Sequence, residues 1–98
     1  MMYVATAHIT LRLFDSASLK DKRQVIRSIL ARARNQFEVA AAEVGSQDMW
    51  NLATLGIACV SGDSGHALKV VEGVIQAIET SRPDVEITQA STDVIAIE

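Results

Sequence analysis

Between Tyr3 and Phe14, apolar Ile9, Leu11 and Leu13 alternate with His8, Thr10 and Arg12, the period-two pattern of a strand with one buried face. The same alternation argues against an export signal or a membrane span at this end, because Thr6, His8, Thr10 and Arg12 interrupt every apolar run. A strand of this kind needs a layer of packed residues on one side only, so the rest of the chain must supply that layer.

Asp15-Ser16-Ala17-Ser18 ends the alternation, and Ser18 followed by Asp21 reads as a helix N-cap with an acidic group in the first turn. The helix is predicted to run to about Asn35. Leu19, Ile26, Ile29, Leu30 and Ala33 fall on one face, while Lys20, Arg23, Arg27 and Arg34 gather along its flank. Phe37 to Val44 has no helical period and is read as a second strand, with Gly45-Ser46-Gln47-Asp48 as the turn after it. Asn51 to Ser61, carrying Leu55, Ile57, Cys59 and Val60, is a third and central strand. A second helix starts near Asp63 or Ser64 and puts Ala67, Leu68, Val71, Val74, Ile75 and Ile78 on one face, with Gly73 permitting close packing. Arg82-Pro83-Asp84 stops it. Val85 to Ile97 alternates at both ends but is polar across Gln89 to Asp93, the mark of a bend, a bulge or two short strands.

Strand, helix, strand, strand, helix, strand is the order of an α+β, ferredoxin-like βαββαβ domain, in which both helices cover one face of an antiparallel sheet. Ninety-eight residues fit one such domain, residues 1–98. The open face is expected to carry Thr6, Thr10, Ala40, Ala42, Thr54, Gly56 and Ala58, small side chains that let a second flat sheet approach. A mean hydropathy of +0.21 is high for so small a chain, and it leads us to expect a homo-oligomer that covers part of the apolar surface.

Chemistry is sparse. There is no Gly-rich phosphate loop, zinc-type ligand spacing or nucleophile elbow. Cys59, the lone cysteine, is expected to be a small core residue in a reducing, cytoplasmic compartment. His8 and His66 lie on separate elements with no ligand spacing, so no metal and no cofactor are expected. No acid/base or nucleophile pair can be placed, which makes an enzyme the least favoured class. Tyr3, Phe14, Phe37 and Trp50 are the only aromatics, and none falls on the third strand, which argues against base stacking of the RNA-recognition-motif kind.

Charge is the exception. Residues 20–34 hold six cations against Asp21, a net +5 in a chain of net −3, which leaves −8 elsewhere. Lys20, Lys22, Arg23, Arg27 and Arg34 are therefore candidate RNA- or anion-binding residues, since guanidinium groups bind phosphate bidentately and lysines add point charge. A solvated helix flank is the competing reading. Lys20, Lys22 and Arg23 lie in the first turns, where the helix dipole disfavours cations, so helix stability does not account for them. Gln47, Asp48 and Trp50 form a second candidate cluster, an interaction site or a packed tryptophan, and Glu43 is placed to pair with an arginine of the first helix.

Ser18-Leu19-Lys20-Asp21-Lys22-Arg23, then Phe37, Ala42-Glu43-Val44, Gln47-Asp48 and Trp50, resemble the YlxP-like family of small bacterial proteins, a domain of unknown function. The resemblance implies a ferredoxin-like fold and a bacterial source, and by gene neighbourhood a link to the ribosome. Family members often carry His before Gln-Asp and Asn after Phe, where this chain has Ser46 and Glu38. The resulting expectation is a non-enzymatic accessory protein that contacts RNA or a ribosomal particle, without DNA specificity or membrane attachment. The alternatives are an oligomeric module for small anions and a protein-interaction module that docks through Trp50 and the open sheet face.

Overall fold

In the computed structural model, which describes all of residues 1–98, β1 spans Met2–Leu13, α1 Leu19–Phe37, β2 Ala40–Gly45, β3 Leu52–Ser61, α2 Ser64–Ser81 and β4 Val85–Ile97. The strands form one antiparallel sheet in the order β2-β3-β1-β4, which makes β1 and β3 central. This is the predicted βαββαβ arrangement.

Odd-numbered residues of β1 and β3 build the core. Ala5, Ile9, Leu11, Ala53 and Leu55 have no exposed surface, and Ile57 and Cys59 are buried beside them. Ile26, Ile29, Leu30 and Ala33 of α1 and Ala67, Val71, Val74 and Ile78 of α2 close over that face. Each large aliphatic side chain fully buried there is worth about 1.5–3 kcal/mol, so this one layer carries most of the favourable burial. Gly73 allows the helices to approach, since a Cβ there would lie 3.0 Å from Cε1 of Phe37.

Two boundaries differ from the sequence reading. Phe37 is the last residue of α1 and packs partly buried against the core, so β2 begins only at Ala40. Residues 85–97 form one continuous strand whose register against β1 shifts between Thr10 and Leu11, a bulge that accounts for the broken alternation.

Local chemistry sets the element ends. The Ser18 hydroxyl accepts from the Asp21 N–H at 3.1 Å, while the Asp21 carboxylate accepts from the Ala17 N–H at 3.1 Å. Asp63 caps α2 through the His66 N–H. Arg82 grips Asp84 with two N–H groups, at 3.0 and 2.7 Å, and donates a third to the Ser28 hydroxyl of α1 at 2.9 Å. That hydrogen-bonded guanidinium holds the Asp84 carboxyl below its ordinary value.

Glu38 and Ser46 are the two non-glycine residues with left-handed backbone, φ 53° and 60°. Glu38 is the C-cap of α1 and donates its N–H to the Arg34 carbonyl, a position that favours Gly or Asn. Replacing Glu38 with Gly should raise stability by about 0.5–1 kcal/mol and the melting temperature by roughly 4 °C, whereas Glu38→Ala should give no gain. Thermal unfolding followed by circular dichroism checks this, and equal melting temperatures for the two variants would contradict it.

Candidate functional site

The cations of α1 divide into two groups. Lys20, Arg23, Arg27 and Arg34 fall within about 60° of one another at about 100° per residue, and all four are exposed. Lys22 does not belong with them. Its side chain is 2% exposed, and it shares the core-facing stripe with Ile26, Ile29 and Ala33. It is therefore removed from the candidate phosphate contacts, because a buried ammonium cannot reach a ligand outside.

Lys22 instead holds the β2–β3 turn. Its Nζ donates to the Ser46 carbonyl at 2.5 Å and lies 2.9 Å from Glu43 Oε2. The Glu43 contact is an ion pair made at a poor hydrogen-bonding angle, and no other donor reaches that buried oxygen. Glu43 thus pairs with the lysine, not with an arginine as its position suggested. The Ser46 carbonyl also accepts from the Met49 N–H at 3.1 Å, and the Ser46 hydroxyl bonds the Thr54 hydroxyl. At the other end of α1, Arg34 donates to the Ala41 carbonyl at 2.5 Å. Two cations therefore bolt α1 to β2, one near each end of the helix.

Lys20, Arg23 and Arg27 make no ion pair and no side-chain hydrogen bond within the protein. They form an exposed flank whose charge is unanswered. Arg32 lies on the opposite flank, bonded to Gln36 at 3.2 Å.

Gln47, Asp48 and Trp50 sit together in the β2–β3 connection, all exposed, with Trp50 at 48%. Packing in the core is thereby excluded for the tryptophan. Leu13 donates its N–H to the Asn51 carbonyl at 2.9 Å, so Phe14 and Trp50 occupy the next positions along the β1–β3 register, and the Arg12 guanidinium lies 5.0 Å from the centre of the Phe14 ring. Cys59 is buried and unpaired. No group of three His, Cys, Asp or Glu side chains converges on a common point.

The burial of Lys22 was readable from its spacing with Ile26 and Ile29, and the inward direction of the half-buried Glu43 from its parity with Ala41. Glu43→Ala should cost about 2–4 kcal/mol, since it leaves Lys22 inside with the Ser46 carbonyl alone. The double variant Lys22→Met/Glu43→Leu should lose less than Glu43→Ala, because no buried charge remains and the Ser46 carbonyl keeps Met49. Urea unfolding of the two variants checks the order, and a double variant weaker than the single one would contradict it.

Comparison with known proteins shows the family and the fold. The chain is 38% identical over 81 residues to the uncharacterized protein YlxP of Bacillus subtilis (strain 168), a match that spans 83% of this chain and 87% of that one. Among solved structures, a protein from Chloroflexus aurantiacus J-10-fl assigned by name to the antibiotic biosynthesis monooxygenases superposes with a TM-score of 0.58. It is 15% identical, and the match covers all of this chain and 96% of the other. The de novo designed protein Foldit4 superposes with a TM-score of 0.55 at 12% identity, over the full length of both. At such identities the two structures share the fold alone. The family profile described as a protein of unknown function matches residues 4–92, and the chain belongs to this family, DUF503.

Proposed function

We propose that this protein is a non-enzymatic accessory factor of the cytoplasm that contacts RNA, free or within a ribosomal particle, through Lys20, Arg23 and Arg27. The observation that carries the reading is that these three cations share one exposed flank and have no partner inside the protein. Fold stability does not explain them: Lys20 and Arg23 lie in the first turns of α1, where the dipole opposes cations. Their charge is concentrated on a chain that is otherwise acidic, which favours a local phosphate contact over general coating of nucleic acid.

A small anion held in a pocket fits less well. The two hollows of the molecule lie between the helices, beside Arg32 and Arg82, and on the open sheet face; neither touches Lys20, Arg23 or Arg27. An exposed flank of a helix suits an extended polyanion.

The triple variant Lys20→Gln/Arg23→Gln/Arg27→Gln should fold as the parent does, because glutamine is a comparable helix former at these exposed positions. Its affinity for single-stranded RNA should fall, and its log–log salt slope should flatten by about 2, since each lost phosphate contact removes roughly 0.7. Lys69→Gln, on α2, should change little. Filter binding across a salt series reads both outcomes, and a triple variant that binds with the parent's slope overturns the proposal.

A further inference from the structure

The helices cover one face of the sheet, and the other is bare. Across it the register sets successive rows: Val60, Val4 and Ile95; then Ala40, Ala58, Thr6 and Asp93; then Ala42, Gly56, His8 and Ser91. Met2 and Ile97 pair in a further row beyond the first. Nine large hydrophobic residues of the protein are exposed, and five of them, Met2, Val44, Val60, Ile95 and Ile97, stand on this face. In these rows only Asp93 and His8 are ionisable, a depletion of charge that marks the centre of protein interfaces and not ordinary surface.

Shape adds a second constraint. Beside the apolar row lies an open hollow of about 470 Å³, lined by Thr6, His8, Ala40, Ala42, Gly56 and Ala58 with Val44 at its edge. The hollow exists because these positions carry small side chains, whereas the neighbouring row stands proud on Val60 and Ile95. The ridge crosses β3, β1 and β4, and the hollow spans β2, β3 and β1 in the rows next to it along the strands. A two-fold rotation that reverses the strand direction sets ridge against hollow, the self-complementarity that an isologous contact requires.

The area is sufficient. With about 3.3 Å per residue and about 4.8 Å between strands, the four strands project roughly 650 Å². Two copies would bury about 1,300 Å², within the range of about 1,200–2,000 Å² for stable interfaces.

We propose that the open sheet face is the interface of a homodimer, with a two-fold axis running between the faces across the strands. This axis sets the strands of the two copies antiparallel with β3 over β3, so that Val60 of each copy enters the hollow floored by Gly56 and Ala58 of the other. The crossing angle follows from the twist of each sheet, about 30°. The helix layers, and with them both cationic flanks, then face outward on opposite sides of the dimer.

Light scattering on the purified protein at about 50 μM should give twice the chain mass of 10.6 kDa. Val60→Lys/Ile95→Lys should give the single-chain mass with an unchanged circular dichroism spectrum, since both positions are at least half exposed in the single chain. Should that variant lose its fold, Val60→Ser/Ile95→Ser replaces it and should raise the dimer dissociation constant at least tenfold. The triple variant of the α1 flank should remain dimeric. A parent protein of 10.6 kDa at this concentration, a mass that is not twice the chain, or a folded face variant that dimerises like the parent each overturns the proposal.

Discussion

Everything in this protein follows from the placement of both helices on one side of a four-stranded sheet. The odd residues of β1 and β3 meet α1 and α2 and make the core, so the even residues of the same strands are turned toward nothing in the chain. In a domain of 98 residues the surface is large relative to the volume, and a whole sheet face is a substantial share of it. The choice of residues on that face is thus as constrained as the core. Small side chains keep it low at the hollow, apolar ones raise it at the row of Val60, Val4 and Ile95, and ionisable residues are few, Asp93 and His8 within the rows and the Arg12–Glu86 pair at one end.

The helix layer solves a different problem. α1 has to stay on the sheet while carrying six positive side chains along its length. Lys22 and Arg34 are used internally, bonded to the Ser46 and Ala41 carbonyls, and so fasten the helix to the edge strand β2. Arg34 at the same time occupies part of that edge, which otherwise invites pairing with another strand. Lys20, Arg23 and Arg27 have no such duty. The division shows that a run of cations can be bonded within the fold at two positions and unpaired at three, a distinction that net charge alone cannot make.

The fold was legible in the sequence because periodicity changes cleanly from two to 3.6 and back, and because Ser18, Asp63 and Pro83 punctuate the helix ends. The end of α1 was not, since a Glu in the left-handed C-cap position gives no stop signal, and Phe37 continues the apolar face past Asn35. The role of Lys22 was hidden by residue type: a lysine in a basic run reads as surface, and only its spacing with Ile26 and Ile29 tells that it points inward. The exposure of Trp50 was open in principle, because it lies in a turn whose packing depends on the Lys22–Ser46 contact from a distant part of the chain.

With the sheet face proposed for a second copy and the α1 flank for RNA, the two faces of the molecule should work independently. Native mass spectrometry with a short single-stranded RNA oligomer tests this most directly. The predicted species is a pair of chains carrying one and then two oligomers as the RNA is increased. If the oligomer were found only on single chains, RNA and the second copy would be competing for one surface, and the assignment of the two faces would be wrong.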